Sequence, residues 1–221
     1  MTAFPTILYP LTFLVALAVE RMFAARALPR VRFWLLRCLA LFALAGAIQS
    51  LLGPLLARAL AGHRVVALAE APLLVGVAIG IVAADLALYA VHRALHVSAP
   101  LWRWVHRLHH SAERVDVAGS AYLHPFELAT NIVLTSLVGA ALGLSPLATA
   151  IVGYTAFALG TFQHTNIATP AWVGYLVQRP EGHSVHHARG VHAYNYGHLA
   201  LWDAVFGTRR NPAAFAAEAG L

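Results

Sequence analysis

Long apolar segments constrain the fold of this chain more than any other feature of its sequence. A helix that spans a bilayer needs about 20 consecutive, mostly apolar residues. Such segments lie at residues 4–20, 33–57, 70–90, 128–143 and 146–163, and Ser145 and Pro146 separate the last two. The chain is 60% hydrophobic and 11% charged, whereas about a quarter of a soluble domain is charged. The sequence therefore predicts one all-α, integral membrane domain, residues 1–221, with about four transmembrane helices or helix pairs.

The arginines predict how these helices are oriented. All basic residues are arginine, 15 in number, and most lie within 21–37, 93–114 and 179–210. Only Arg58 and Arg64 lie in the loop between the second and third apolar segments. Because arginine accumulates in cytoplasmic loops, we expect residues 91–127 and 164–221 to lie in the cytoplasm. The lysine-free, alanine-rich composition indicates a GC-rich genome, and we therefore expect a bacterial inner membrane.

The N-terminal segment has no basic region and no nearby cleavage site of the kind that marks a signal peptide. We expect it to be retained as the first helix. The net charge of +6 follows from the arginine-rich loops, and we expect no nucleic-acid partner.

Histidines recur at helical spacing in the segments expected on the cytoplasmic side. The spacing is HxxxH at 92–96 and HxxHH at both 106–110 and 183–187. Residues three or four apart share a helical face, so each set is expected to present its imidazoles together. His164 directly follows the last apolar segment, and His124 lies in the motif HPFE.

The number and type of these side chains favour metal ligation. Neutral imidazole suits Zn, Cu, Fe and Ni. Cys38 is the only cysteine, so thiolate clusters and an internal disulfide are excluded. Unpaired imidazoles close to a bilayer are costly, and shared metal ligation removes that cost. The histidines are too many for one ion and enough for two.

Taken in order, these motifs resemble the fatty acid hydroxylase superfamily, which includes the sterol desaturases. Three further segments share the resemblance: HPFE at 124–127, FQHTN at 162–166 and YNYGHLALWDAVFGT at 194–208. The resemblance covers about residues 85–210, which we expect to form the catalytic region. It implies a helical, histidine-rich metal-binding cap on the membrane helices. It also implies a di-iron centre that uses O2 to hydroxylate or desaturate a C–H bond of a lipid. Fatty acyl, sphingolipid, sterol-like and carotenoid substrates all remain open.

The resemblance also implies a set of metal ligands. They are His92, His96, His106, His109, His110, His164, His183, His186 and His187, with His124 as a tenth candidate. Some family members carry a further histidine four residues after the one in FQHTN, where this chain has Ala168. His124, Asn166 or a water could replace it.

Metal-bound imidazoles usually donate their second N–H to a carboxylate or carbonyl. Asp85, Glu127 and Asn195 are the candidates for this supporting role. Asp85 lies two helical turns before His92 and is the one acid in the interior of the third apolar segment, which begins at Glu70. An ionisable residue inside a membrane segment is a functional candidate by default.

The electrons are expected from a separate ferredoxin, cytochrome or reductase. The sequence has no GxGxxG motif for a nicotinamide or flavin, and one cysteine cannot hold an iron–sulfur cluster. The cytoplasmic arginines could dock an acidic carrier.

Two other classes of function compete with this interpretation. A membrane metal transporter is disfavoured because only Asp85 lies deep in an apolar segment. A zinc hydrolase is disfavoured because neither HxxHH motif holds the general-base glutamate of an HExxH motif.

Overall fold

The computed structural model describes residues 4–221, with side chains described from residue 7 onward. This part of the chain is helical and contains isolated β-bridges but no strand. The long helices are α1 (Phe4–Met22), α2 (Trp34–Ala59), α3 (Leu73–Val97), α6 (Pro125–Ala141) and α7 (Pro146–Gln163). The short ones are α4 (Ala99–Leu101), a π-helical turn (Trp102–His106), α5 (Arg107–His110), α8 (Pro180–His186) and α9 (Ala200–Val205). Three 3-10 helices cover Leu68–Glu70, Ala118–Ala121 and Ala171–Tyr175. The all-α prediction is confirmed.

The five long helices pack into one bundle. Helix α7 lies between α1 and α3, while α6 lies against α2 and α3. The rings of Phe13 and Phe42 stack with centroids 4.5 Å apart and join α1 to α2. Val117, fully buried, packs in the same cluster. The segment after α5 is thereby fastened to the inner face of the bundle.

Helices α6 and α7 form a hairpin that breaks where the sequence predicts. The Ser145 side chain accepts a hydrogen bond from the Ala148 N–H, and Pro146 occupies the first turn of α7. These are the preferred residues at the start of a helix. Gly143 adopts φ 58°, and a Cβ there would collide with the Val66 carbonyl oxygen. Only glycine fits this position without strain.

The outer surface of the bundle is apolar. Helices α2 and α3 are long and apolar enough to cross a membrane. Leu36, Leu51 and Leu74 on these helices are all more than 60% exposed. Exposed apolar area on this scale marks a surface that meets lipid or a partner. The chain therefore folds as a helical membrane bundle, while the number of about four spans and the cytoplasmic orientation stay predictions.

A buried carboxylate joins the end of α1 to the segments that carry the histidines. Glu20 is 8% exposed, and its Oε2 accepts the backbone N–H of Val117 at 2.9 Å and of Asn166 at 2.8 Å. The first donor follows the HxxHH motif of 106–110, and the second follows His164. Charge-assisted bonds of this kind are about twice as strong as neutral ones. Glu20 was not singled out by the sequence.

Replacement of Glu20 by leucine should destabilise the fold because it leaves two buried N–H groups without an acceptor. Each unsatisfied donor costs about 1–3 kcal/mol. We expect a clear fall in the thermal midpoint in detergent, measured by circular dichroism. Glu218→Leu is the matched control, since the Glu218 side chain is 69% exposed. Equal midpoints for the two variants would show that Glu20 does not hold these segments.

Candidate metal centre

Nine of the ten candidate ligands meet in two groups inside the protein. Group A consists of His92, His96, His106, His110 and His186, and group B consists of His109, His164, His183 and His187. Within each group the ligand atoms all lie within 4.8 Å of one another. The groups are adjacent, since the rings of His110 and His187 stack with centroids 4.2 Å apart. The structure thus offers two neighbouring metal positions.

Each HxxHH motif contributes to both groups, although its histidines were expected to act as one set. His106 and His110 face group A, whereas His109 faces group B. His183 and His187 face group B, whereas His186 faces group A. Successive residues of an α-helix point about 100° apart, because there are 3.6 residues per turn. The two adjacent histidines of each motif therefore diverge, and each motif spans the two positions.

Hydrogen bonds determine which ring nitrogen faces the centre for six of the nine imidazoles, whereas Nδ1 of His110, His183 and His187 is buried without a hydrogen-bond partner. Five Nδ1 atoms lie beside backbone carbonyl oxygens, which can only accept, so these Nδ1 atoms carry the hydrogen. The pairs are His92 with Tyr196 (2.7 Å), His96 with His192 (2.8 Å), His186 with Tyr194 (2.8 Å), His109 with Tyr122 (3.2 Å) and His164 with Gly160 (2.6 Å). In each of these rings Nε2 is left with a lone pair. That lone pair is what binds a metal.

The Nε2 atoms approach one another as ligands of one ion do. In group A the Nε2 of His106 lies 2.9 Å from that of His96 and 3.1 Å from those of His92 and His110. In group B the successive separations are 3.2, 3.1 and 3.2 Å along His109, His164, His183 and His187. Nitrogens bound at about 2.0–2.1 Å and at right angles on one metal are about 3 Å apart. Lone pairs this close repel unless a cation lies between them, so both groups fit a metal ion.

Burial keeps the imidazoles in the form that binds metal. Loss of hydration, reinforced by the neighbouring histidines, holds the pKa of five of them well below the ordinary value. They are His109, His110, His183, His186 and His187. Burial also lowers the pKa of His164 to about 4. These side chains are therefore neutral at pH 7, with the lone pair available for a metal.

One imidazole is backed by a carboxylate. Both oxygens of Glu127, in the first turn of α6, lie 3.0 Å from Nδ1 of His106. Both side chains are buried. Within residues 4–221 no other histidine of groups A and B is hydrogen-bonded to a carboxylate. Glu127 therefore increases the basicity of His106 and fixes its ring orientation.

A strained loop supplies three of the carbonyl acceptors. His192, Tyr194 and Asn195 all have positive φ, at 41°, 67° and 51°. This conformation is uncommon outside glycine and costs about 1–3 kcal/mol per residue. It turns the carbonyls of His192, Tyr194 and Tyr196 toward three imidazoles of group A. The sequence did not reveal these acceptors, because any residue type supplies a carbonyl.

Buried side chains hold this loop in place. The Asn195 Nδ2–H donates to the Gly182 carbonyl at 2.8 Å, and its Oδ1 accepts from the Arg210 N–H at 2.7 Å. Asp203 accepts the backbone N–H of Tyr196 at 2.9 Å. Asn195 thus acts on the loop and contacts no imidazole of the two groups through a hydrogen bond.

Asp85 supports the same region through the backbone. Its oxygens accept the N–H groups of His198 at 2.8 Å and Leu199 at 3.0 Å, and Oδ1 lies 3.2 Å from Nδ1 of His198. These residues directly follow the loop in which the Tyr196 carbonyl accepts a hydrogen bond from His92. The link from Asp85 to the ligands is therefore indirect.

The remaining candidates lie outside both groups. The His124 Nδ1 accepts a hydrogen bond from the Phe126 N–H at 3.2 Å and caps the start of α6. The Asn166 side chain donates to the Arg26 carbonyl at 2.7 Å. Neither belongs to the nine side chains brought together, so the structure assembles five imidazoles in one group and four in the other.

Replacement of Glu127 by glutamine should weaken metal binding. The amide keeps the shape and one acceptor but removes the negative charge behind His106. Loss of such an outer partner typically lowers metal affinity by about 10–100-fold. Competition with a chelator, followed by metal analysis, measures the change. Glu113→Gln is the control, since Glu113 is exposed. Equal affinities for Glu127→Gln and the unmodified protein would contradict the assigned role.

Comparisons with known proteins agree on a family. Residues 77–208 match the fatty acid hydroxylase family. The chain is 33% identical over 149 residues to ornithine lipid hydroxylase OlsE of Rhizobium tropici, covering 64% of this chain and 44% of that protein. It is 29% identical over 135 residues to fatty acid hydroxylase ahd1 of Mycosarcoma maydis, covering 61% and 33%. It is 30% identical over 142 residues to fatty acid hydroxylase vlmA of a Lecanicillium species, covering 56% and 39%.

The share of each chain that these matches cover determines which conclusions they support. No solved structure matches the chain significantly. The chain spans less than half the length of the relatives named above, at 44%, 33% and 39%. The family match covers more than half of the chain and contains every histidine of groups A and B. As its histidine motifs predicted, the chain belongs to the fatty acid hydroxylase family.

Proposed function

We propose that this chain is a membrane di-iron oxygenase that hydroxylates a C–H bond of a lipid. The observation that carries the proposal is the pair of adjacent groups A and B, whose Nε2 atoms converge on two centres. The relatives include hydroxylases of ornithine lipid and of fatty acids, which supports a lipid substrate. Dioxygen is the co-substrate, and the electrons come from a separate carrier.

The donor set is compatible with iron, and the hydroxylation of an unreactive C–H bond is what favours iron over the other metals that imidazole binds. All nine converging ligands are imidazoles, and the one cysteine, Cys38, is buried apart from them in the cluster around Trp34. Imidazole without thiolate suits iron, and two ions at these positions would supply the activation of dioxygen that an unreactive C–H bond needs. Groups A and B would each hold one ion.

The protein's own contribution is to position the imidazole ligands and to exclude water from the centre. The loop carbonyls and Glu127 fix the tautomer and orientation of their imidazoles before any metal binds. Most of the imidazoles are fully or almost fully buried, so water has little access to the centre. Preorganised ligands and a dry, shaped cavity are what a protein contributes to metal catalysis.

A cavity between α1 and α7 supports access from the bilayer. Its volume is about 540 Å³, within the usual range for ligand sites. The lining is aliphatic and aromatic apart from three threonines, and no described lining residue is charged. Thr161, Phe162 and Thr165 line it and flank His164 in sequence. The cavity therefore suits the hydrocarbon chain of a lipid approaching from the group B side.

The arginine distribution supports the location of the site. Eight of the nine histidines of groups A and B lie within the arginine-rich stretches 93–114 and 179–210 or between them, and His92 directly precedes Arg93. By the positive-inside rule these stretches face the cytoplasm. We therefore propose that the metal site lies on the cytoplasmic side, and the lysine-free, alanine-rich composition favours a bacterial inner membrane.

The competing functions fit the geometry less well. A zinc hydrolase needs a carboxylate free to act as a base at the metal, but Glu127 faces the far nitrogen of His106. A transporter needs ligands distributed along a path across the bilayer. Here the nine imidazoles form one compact, buried cluster instead.

The proposal is tested by removing one ligand from each group. His186→Ala in group A and His109→Ala in group B should each lower bound iron from about two ions per chain and abolish lipid oxidation. Iron is measured by elemental analysis of protein purified without chelators. The product is sought by lipid mass spectrometry of expressing cells, as lipids that gained one oxygen atom.

Two variants serve as references for this experiment. His63→Ala changes an exposed loop residue and should retain both iron and product. His124→Asn keeps a cap acceptor for α6 and should also retain both, since His124 lies outside the groups. Full oxidation of lipid by the His186 and His109 variants, or zinc as the only bound metal in active protein, would refute the proposal.

A further inference from the structure

The segment from Ala99 to His110 has two faces with different chemistry. Trp102, His106 and His110 follow one another at four-residue spacing and point inward to group A. Arg103, Trp104 and Arg107 are exposed on the other side of the same segment. A single helical segment therefore separates His106 and His110 of group A from the surface of the protein.

Trp102 is in contact with the imidazoles and reaches the surface. Its ring lies 5.2 Å from those of His96 and His110 and 6.0 Å from that of His106, measured between centroids. Trp102 itself is half-buried. In group A, His92 and His96 are also half-buried, whereas all four imidazoles of group B are buried. Group A is therefore the side of the centre that lies nearest the surface.

The outer face is positively charged and lacks acidic neighbours in sequence. Arg103 and Arg107 are exposed, as is Arg93 on the preceding helix α3, and residues 86–112 contain no aspartate or glutamate. In the described part of the chain none of these three arginines takes part in an ion pair. Trp104, 71% exposed, has Arg103 over its ring at 5.3 Å. Exposed arginine and tryptophan are the residue types enriched at the centres of protein interfaces.

We propose that this outer face docks an acidic, one-electron carrier protein and that its electrons reach group A through Trp102. The inference rests on the proposed function. At each encounter the reduced carrier would lose one electron and be oxidised, a metal held by group A would gain that electron, and no covalent bond would form or break. Complementary charge speeds and orients such encounters, and the short aromatic path limits the distance that the electron crosses.

The docking surface is tested by charge reversal, with binding as the readout. The probe is an acidic plant-type [2Fe–2S] ferredoxin, titrated against the full chain in uncharged detergent micelles. Arg103→Glu combined with Arg107→Glu should weaken binding at low ionic strength by at least about tenfold, and high salt should reduce the difference. Arg58→Glu with Arg64→Glu, on the loop between α2 and α3, is the matched control and should bind as the unmodified chain does.

The route through Trp102 is tested by the rate of reduction at saturating ferredoxin. Trp102→Leu should slow reduction of the bound iron, while Trp104→Leu should leave that rate unchanged and affect only the affinity. Neutral, photoreduced deazaflavin serves as a small reductant that needs no docking surface. It should reduce the charge-reversed protein and the unmodified protein equally fast. Iron content is measured in parallel, and Trp102→Phe replaces the leucine variant if iron is lost.

Three outcomes would overturn the proposal. The first is equal ferredoxin affinity for the charge-reversed and unmodified proteins. The second is an effect of charge reversal that appears only in anionic lipid vesicles, which would make the outer face a bilayer contact. The third is unchanged reduction in both Trp102 variants. Absence of iron would refute the proposed function instead, because ferredoxin affinity is measured whether or not iron is bound.

Discussion

The structure depends on the hydrogen bonds that turn the imidazole Nε2 atoms toward two common centres. Each bond from Nδ1 to a carbonyl or carboxylate fixes one tautomer and leaves a lone pair pointing inward. Lone pairs about 3 Å apart in a buried site are unfavourable by themselves. The rest of the fold must hold them there, so that binding of a cation turns the arrangement from a cost into a stabilising contact.

Buried carboxylates and one side-chain amide hold these segments in place, mainly through hydrogen bonds to backbone groups. Glu20 ties α1 to the segments after two ligand sites, while Asp203 and Asp85 fasten the residues around the loop carbonyls. Asn195 anchors the loop itself. A backbone N–H bound to a buried carboxylate satisfies both groups, and the strained φ angles of the loop persist because the surrounding structure fixes them. These hydrogen bonds therefore keep the imidazole ligands in fixed positions.

The two groups are unlike in ways that separate the parts of the proposed reaction. Group A carries the carboxylate-backed His106 and lies under the arginine-rich outer face of the segment Ala99–His110. Group B is completely buried, and His164 belongs to the end of α7, where the apolar cavity lies. In the proposed mechanism electrons arrive at one side of the centre and the hydrocarbon chain at the other. The route of the electrons and the route of the lipid chain then do not overlap.

The sequence by itself determined the helical class, the apolar segments, the family and the nine histidines that converge. Hydrophobic length and helical spacing are local properties, so they can be read without knowing what packs against what. Local spacing could not show that each HxxHH motif divides between two groups, because that division depends on where the facing helices lie. Nor could it show that His124 caps α6 or that Glu127, among several acids, meets an imidazole. Only the tertiary structure decided these contacts and the loop carbonyls that orient group A. A backbone oxygen has no signature in the sequence. The carbonyl that accepts from His92, that of Tyr196, lies about 100 residues later in the chain.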